Sequence, residues 1–294
     1  MTNVTMSGKK RLAIWLWFFF TLSLVPGLAQ PALTFQPEII TTIAGTGAAG
    51  YTGDGGPATS ALMSGGIKGI VADASGDVFF VDGTYCTVRV IYEGGATAAQ
   101  LIAAETGVTS PVVGNIYVIA GMENQCGTPS NGTLATSAKI TPNTGGLGID
   151  SAGDIYVAGT SSTVWVVYAG GTNTAGTNFI SLEASVTNPT LGAIYRVAGS
   201  RTGANGGDGT LATSSVVGLH GIDDIKFDGV GNMYLADQGN NSIREVSAAT
   251  GFISTIAGGG GTASGASGNS PNGTVASSSL LNQPYAVAVD ASNN

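Results

Sequence analysis

Few residues in this chain have side chains that could carry out acid–base, nucleophilic or metal chemistry. The 294 residues contain one histidine, His220, and two cysteines, Cys86 and Cys126. His220 precedes Asp223 and Asp224, and an imidazole beside carboxylates could act as a general base or bind a cation such as Ca2+, which prefers several oxygen ligands. A hydrogen-bonded loop histidine is the favoured interpretation, because two adjacent carboxylates alone define neither kind of site.

The two cysteines leave two interpretations open. Two Cys and one His cannot by themselves complete a four-ligand structural zinc site. A catalytic thiol needs a basic partner, and only His220 could provide it, so this role is disfavoured. In an exported protein a free exposed thiol is rare, which favours a disulfide between Cys86 and Cys126 over two separate thiols. The sequence contains no Gly-rich phosphate loop, serine-triad signature or HExxH motif.

The composition excludes some classes of partner. Only 10% of the residues are charged, against about 25% in an ordinary soluble domain. The formal net charge is −8, and three of the ten basic residues, Lys9, Lys10 and Arg11, stand near the N-terminus. The remaining surface is acidic and repels phosphate groups, so we expect no nucleic-acid partner.

The N-terminal segment has the pattern of a signal peptide. The basic residues 9–11 are followed by an apolar run over 12–25 and by small residues up to Ala29. We therefore expect a signal peptide over 1–29, a short linker over 30–38, and a secreted, periplasmic or cell-surface location. An uncleaved anchor is the alternative, but the apolar run is shorter than the roughly 20 residues that span a bilayer. No membrane span is expected after signal removal.

A repeated motif organises the rest of the chain. Each copy has an Asp-Gly or Asn-Gly pair followed by Ala-Thr-Ser or Ala-Ser-Ser, and the copies are Asp54–Ala61, Asn131–Ala138, Asp208–Ser215 and Asn272–Ser279. Short β-branched and aromatic runs follow, joined by Asp-x-x-Gly turns at 73–76, 150–153 and 228–231. Each complete copy therefore predicts a four-stranded antiparallel meander, and the chain is predicted to be all-β.

Repeated four-stranded units with Gly-rich connections are typical of β-propeller blades, whereas a β-helix has much shorter repeats. The third copy carries Asp-x-x-Gly-Asn and Tyr-Leu-Ala-Asp over 228–237, Asn-x-x-Ile-Arg within 239–246 and Ala-Gly at the end of 253–258. These residues resemble the NHL-repeat family, and the resemblance covers about 39–294. It implies an NHL-like β-propeller and leaves the function open, because such propellers serve both as binding platforms and as enzyme scaffolds.

The predicted blades span about 67–121, 147–199 and 221–258, with a partial blade over 284–294. A lone strand over 39–45 precedes them, so we expect three full blades with one terminal strand at each end. A closed propeller has four to eight blades. We therefore expect a fragment of a longer chain, and the family resemblance implies six blades in the complete ring. Closure by self-association is the alternative.

Two features break the repeat. About twenty extra residues separate the third and fourth strands in the first two copies, at 94–114 and 170–192, and a short helix is predicted over 98–105. Arg89 and Arg244 occupy the position of the NHL third-strand arginine, whereas Trp165 replaces it in the second copy. Both arginines are expected to pack between strands and form salt bridges.

Three functions are compatible with this sequence. The first is an exported interaction scaffold that binds a protein or glycan partner through the face that bears the Gly-rich connections and both cysteines. The second is a metal-dependent lactonase- or lyase-type enzyme, in which His220, Asp223 and Asp224 contribute to a site in the central channel and the metal acts as a Lewis acid. The third is a structural surface array without a partner. The low content of catalytic residue types favours the scaffold.

Overall fold

The computed structural model describes residues 40–142, 145–159, 162–171, 174–200, 206–259 and 267–293. The predicted signal peptide and linker lie outside these residues, so their prediction stays open. Three antiparallel β-sheets lie in the unit Thr42–Asn294. Neither of the two α-helices in the described ranges has the length or the apolar character that a bilayer crossing requires.

The sheets follow one another along the chain as blades 1, 2 and 3. Blade 1 consists of β1 (Ile67–Ala72), β2 (Val78–Asp82), β3 (Thr87–Ile91) and β4 (Ile116–Ala120). Blade 2 consists of β5 (Thr133–Leu134), β6 (Leu147–Ile149), β7 (Ile155–Gly159), β8 (Thr163–Val167) and β9 (Ala193–Ala198). Blade 3 consists of β10 (Thr210–Leu211), β11 (Ile222–Phe227), β12 (Met233–Asp237), β13 (Ser242–Val246) and β14 (Phe252–Ala257). In each blade the four longer strands form a meander, as the sequence predicts.

The sheets pack face to face because both faces of the middle sheet are apolar. Side chains alternate along a strand, so Ile155 and Val157 of β7 face blade 1 and pack in the core cluster that also holds Phe79 of β2. Tyr156 and Ala158 of the same strand face blade 3 and pack in the next cluster. Each layer between blades therefore has its own core, which is the packing of a β-propeller.

Glycines allow the first strands of consecutive blades to approach closely. Strands β1 and β6 are in contact, and so are β6 and β11. A Cβ atom at Gly146 would lie 2.6 Å from the carbonyl oxygen of Ile222, and one at Gly148 would lie 2.8 Å from Cγ2 of Ile225. Any larger residue at these two positions would push the inner strands apart. The predicted β-propeller fold is confirmed by this arrangement of the sheets.

The connections between blades are more ordered than the loops that the sequence predicts. The two-residue strands β5 and β10 pair with the outer strands β9 and β14. Ala135, which follows β5, forms backbone hydrogen bonds in both directions. Its carbonyl oxygen accepts from the N–H of Gly121 at the end of blade 1, and its N–H donates to the carbonyl oxygen of Gly192 before β9 of blade 2. The connection therefore bridges blades 1 and 2. The repeated motif thus covers a sheet edge that would otherwise be unpaired.

The segments expected to be terminal strands, at 39–45 and within 284–294, have no strand partner among the described residues. Residues 40–45 and 283–293 belong to no ladder in the described chain, because a strand needs a neighbouring strand for its N–H and C=O groups. Local features of the repeat persist: Ser292 N–H donates to Asp290 Oδ1 at 2.8 Å, as in the Asp-x-x-Gly turns. Val287 N–H donates to Asp224 Oδ2 at 3.1 Å, which places this segment beside blade 3.

The two long insertions form helices that hold the next connection. Helix α1 (Ala96–Thr106) confirms the helix predicted at 98–105, and α2 (Thr174–Ala184) is its counterpart in blade 2. Glu183 of α2 accepts hydrogen bonds from Ala212 N–H at 3.1 Å, Thr213 N–H at 2.8 Å and the Thr213 hydroxyl at 2.6 Å. Glu105 of α1 makes the same contacts with the connection before blade 2. Burial raises the pKa of both carboxyl groups.

Removing one of these carboxylates should loosen the connection that it holds. We expect Glu183→Ala to lower the free energy of unfolding by about 1–3 kcal/mol, because two backbone N–H groups and a hydroxyl lose their acceptor. Urea denaturation followed by circular dichroism measures the change. The exposed Glu123→Ala is the control and should leave the midpoint within about 0.5 kcal/mol of wild type. Equal effects of both substitutions would contradict the bridging role of Glu183.

Candidate functional site

His220 lies in the connection before blade 3, and its side chain is exposed. Its backbone N–H donates to Asp237 Oδ1 at 2.8 Å, as Ser64 N–H donates to Asp82 Oδ2 at 3.3 Å in blade 1. The backbone N–H of His220 therefore has the same hydrogen-bonding role in blade 3 as that of Ser64 in blade 1. Its imidazole sits against Gly239, where a Cβ atom would lie 2.5 Å from Nδ1.

Asp223 and Asp224 lie on the inner strand β11 but do not converge with His220 on one point. Burial raises the pKa of Asp223, against the opposing effects of the Gly145 N–H and the nearby Lys68. Asp224 pairs with Lys226 and also accepts the Val287 N–H. Across the described ranges, no three His, Cys, Asp or Glu side chains form a group that could hold a metal ion.

Cys86 and Cys126 form a disulfide, with their Cα atoms 5.3 Å apart. Cys86 precedes β3 of blade 1, whereas Cys126 belongs to the connection before blade 2. The bond therefore ties this connection to the preceding blade and closes a loop in which the two residues are 40 positions apart. Such a cross-link stabilises mainly by restricting the unfolded chain.

A buried arginine anchors the connection before blade 1. Arg89 of β3 is fully buried, and its guanidinium pairs with Asp54 Oδ1 at 2.9 Å. It also donates to the carbonyl oxygens of Leu62 at 3.1 Å and Thr52 at 2.9 Å. The guanidinium carbon lies 4.7 Å from the ring centre of Tyr51. The Arg89 side chain thus holds two separate parts of the connection against the sheet, one at Thr52 and Asp54 and the other at Leu62.

Blade 3 repeats this ionic anchor with residues at the same positions. Arg244 of β13 is fully buried and pairs with Asp208 Oδ1 at 2.7 Å and Asp237 Oδ2 at 3.6 Å. Burial raises the pKa of Asp237 to about 6, although Asn240, His220 N–H and Arg244 all favour its ionised form. The expected salt bridging of Arg89 and Arg244 is confirmed, and the partners are the Asp residues that begin the repeated motif.

Blade 2 has lost this anchor at all three positions. Asn131 stands where the other blades have Asp54 and Asp208, Trp165 stands in place of the arginine, and Gly159 replaces the aspartate at the end of the second strand. The Trp165 Nε1–H donates to the Thr163 hydroxyl at 2.8 Å. Three charged side chains are therefore replaced together by neutral ones in one blade.

A cleft lies where the anchor is missing. Its enclosed volume is about 10 Å³, which is room for about one water molecule. One side is formed by the connection and the other by blade 2, and the lining residues are Gly127, Thr128, Pro129, Ile140, Thr141, Pro142, Val157, Ala158, Gly159, Thr163, Trp165 and Ile194. None of these side chains is ionisable. The sequence contained the signal for this site, since position-by-position comparison of the copies aligns Asn131, Gly159 and Trp165.

A second polar feature was missed by the sequence analysis: the Asp of the Asp-x-x-Gly turn is paired with the polar residue that follows the turn, and in blade 2 both side chains are buried. In blade 3, Asn232 Nδ2 donates to Asp228 Oδ2 at 2.8 Å, and Tyr234 donates to the same oxygen at 3.2 Å. In blade 2 the pair is Asp154 and Asp150, and Asp154 Oδ1 accepts Ala169 N–H at 2.7 Å. Burial and the charge of Asp150 raise the pKa of Asp154 to about 8. Asp154 Oδ2 is buried without a hydrogen-bond partner, so the neutral, protonated form of Asp154 is favoured at this position.

This protonation makes stability depend on pH. The carboxyl group loses its proton near pH 3.8 in the unfolded chain and near pH 8 in the fold. Its contribution is complete below about pH 4 and is lost as the pH rises through about 8. Asp154→Asn, which copies blade 3, should remove this loss and raise the free energy of unfolding at pH 8 by about 1–3 kcal/mol. Urea denaturation at pH 5 and pH 8 measures the difference, and the same dependence of stability on pH in both proteins would contradict the raised pKa of Asp154.

The ionic anchor of blade 3 gives a separate prediction. Arg244→Met should lower the free energy of unfolding by about 3–5 kcal/mol, because Asp237 is left buried without its cation. The loss should be larger at pH 8 than at pH 5, since protonation neutralises Asp237 at the lower pH. Adding Asp237→Asn should restore part of the stability. Thermal and urea denaturation at both pH values measure these differences, and a pH-independent loss would show that packing alone is affected.

No protein-family model and no curated protein matches the chain. Among solved structures, an auxiliary nutrient binding protein from Bacteroides thetaiotaomicron is 14% identical with a TM-score of 0.38, covering 63% of this chain and 36% of that one. A catalytically inactive virginiamycin B lyase from Staphylococcus aureus, solved with quinupristin, is 10% identical with a TM-score of 0.32, covering 65% and 40%. This chain thus spans well under half the length of either protein.

The fold assignment consequently rests on the sheets of this chain and their packing. These define a β-propeller in which successive four-stranded meanders share apolar layers. Blade 2 differs from its neighbours because a cleft lined by neutral residues lies where blades 1 and 3 have a buried Arg–Asp ion pair.

Proposed function

We propose that this chain is an exported NHL-like β-propeller that serves as a binding scaffold for a protein or glycan partner. In this proposal residues 1–29 direct export, and the folded blades act in a secreted, periplasmic or cell-surface setting. The partner is held at the face that carries the connections between blades. The observation that carries the proposal is the cleft between blade 2 and its connection.

The location of the cleft supports binding over a purely structural array. In blades 1 and 3 a buried guanidinium occupies the equivalent position and holds the connection. A structural array gains nothing from losing that anchor in one blade. In blade 2 the loss leaves a neutral surface between the connection and the sheet, which a partner could contact.

The metal-dependent alternative has less support from the chain's own residues. Asp224 is already paired with Lys226 and with a backbone N–H, and the His220 imidazole is exposed against Gly239. The donor set around these residues therefore offers a divalent cation fewer oxygen ligands than it prefers. We accordingly place binding at the Trp165 cleft and not at His220, Asp223 and Asp224.

Filling the cleft tests the scaffold proposal. Gly159→Val introduces a side chain at a site where a Cβ atom meets its nearest neighbour, Thr141 O, at 3.7 Å, so the backbone tolerates the change. Gly65→Val is the matched control, because a Cβ atom there has nothing within 4 Å. Wild type and both variants are applied to arrays of immobilised glycans and peptides, after equal unfolding midpoints have been verified.

We expect at least one probe that is retained by wild type and by Gly65→Val and is released at least tenfold faster by Gly159→Val. The reason is that the valine methyl groups occupy the space of the ligand without changing the charge of the surface. Identical array profiles for all three proteins would overturn the binding function of this cleft.

A further inference from the structure

We propose that the outer end of blade 3 binds an α-helix of a partner protein, one that carries two adjacent apolar residues and a glutamate three positions after the second. The blade 3 docking surface consists of Phe252 and Ser254 of β14 and of Ala276 and Ser277 in the connection that follows. It belongs to a different blade from the Trp165 cleft, so the inference goes beyond the binding function proposed there.

Blades 1 and 2 show, within the chain itself, what such a surface holds. Helices α1 and α2 lie against the outer strands β4 and β9. Each helix buries two adjacent apolar residues, Leu101–Ile102 in α1 and Phe179–Ile180 in α2. In both helices a glutamate stands three positions after the second of these, at Glu105 and Glu183. The two helices therefore share one pattern of anchoring residues.

Blade 3 lacks the helix but keeps the connection that would receive it. Only residues 247–251 join its third and fourth strands. After the fourth strand, the Gly258 N–H donates to Ala276 O at 3.1 Å, as the Gly121 N–H donates to Ala135 O at 2.8 Å after blade 1. The connection after blade 3 is therefore placed on its blade as the connection after blade 1 is placed on blade 1.

The donors that hold the glutamate of α1 are repeated in this connection. Ala276 and Ser277 stand at the positions of Ala135 and Thr136, whose two N–H groups and hydroxyl donate to the Glu105 carboxylate. Within the described ranges, the two N–H groups and the Ser277 hydroxyl form no hydrogen bond, and both residues are exposed. Three donors in this arrangement suit a carboxylate, because hydrogen bonds to an ionised acceptor are stronger than neutral ones.

The neighbouring part of blade 3 supplies an apolar contact. Phe252 stands at the position of Ala193, which is fully buried in the same cluster as the apolar residues of α2, whereas Phe252 is 48% exposed. Ser254 replaces Tyr195, whose hydroxyl accepts the Thr190 N–H at 2.9 Å and so holds the insertion of blade 2. Blade 3 thus exposes an aromatic ring next to a small side chain where blade 2 is covered by its helix, and burying this ring favours association.

The occupant is a helix of another protein. A second copy of this chain offers only α1 and α2 in its described ranges, and both are already packed on their own blades with their glutamates hydrogen-bonded. A partner helix with the same pattern would place its apolar pair on Phe252 and its carboxylate on Ala276 and Ser277.

The experiment presents the α1 sequence to the full chain as a separate helix. A fluorescein-labelled peptide of residues 96–106 is stapled between positions 96 and 100, which are both exposed in α1, because so short a helix is marginal in water without support. Fluorescence anisotropy at pH 7 follows binding. The peptide is also tested with Glu105→Gln and with Leu101→Ala.

The chain is tested as wild type and as Ser277→Asp, which sets a negative charge against the partner carboxylate. Ser110→Asp is the matched control, because it adds the same charge to an exposed serine of blade 1. Circular dichroism verifies equal unfolding midpoints. The two peptide variants need no change to the chain, so they test the proposal even if Ser277→Asp alters stability.

We expect saturable binding of the α1 peptide with a dissociation constant of roughly 10–300 µM, as suits a small, transient interface. Either peptide substitution and Ser277→Asp should each weaken it at least fivefold, and Ser110→Asp should leave it unchanged. A wild-type chain that does not bind the peptide overturns the proposal, as does binding that is insensitive to Glu105→Gln or equally sensitive to Ser277→Asp and Ser110→Asp. Such a result leaves the Trp165 cleft untouched, because the Gly159→Val array decides that function separately.

Discussion

The structure depends on one constraint: each sheet has apolar residues on both faces and must be covered from both sides. Along β7, alternate side chains belong to two different cores, so blade 2 is stabilised only by being between two other blades. This requirement fixes the close spacing of the inner strands, and Gly148 in β6 with Gly146 just before it makes that spacing possible. It also explains why the connections matter, because they hold the layers in register at the outer edge.

Polar groups hold most of the connections to the blades, and the polar groups used are not the same in every blade. Blades 1 and 3 use a buried arginine that grips the connection. Helices α1 and α2 add the carboxylates of Glu105 and Glu183, which accept hydrogen bonds from the connection that follows. Blade 2 lacks the arginine, and its connection is the one that carries the disulfide. A repeat protein can thus lose the arginine that holds one connection and still keep its blades packed, provided that another interaction, such as this disulfide, holds the connection.

The sequence was sufficient for the strands and turns, because alternation and Asp-x-x-Gly turns are local signals. It also predicted that Arg89 and Arg244 form ion pairs, but not that Asp54 and Asp208 are their partners, since each pair joins a strand to the connection before its blade across 35 to 36 positions. The terminal segments have no strand partner among the described residues, so their pairing stays a prediction. Comparison of the copies gives the residues of the cleft, Asn131, Gly159 and Trp165, but not its volume, because the volume depends on how one indole packs in the place of a guanidinium. The signal peptide and the NHL assignment stay predictions from the sequence.

The disulfide gives the cleft a mechanical property. Its two walls belong to different blades: the connection residues next to Cys126 are covalently joined to blade 1 through Cys86, whereas Trp165 and Gly159 belong to the sheet of blade 2. The disulfide therefore resists any separation of the connection from blade 1, while the pairing of β5 with β9 holds the same connection to blade 2. A change in the angle between these two blades would have to strain either the covalent bond or the strand pairing.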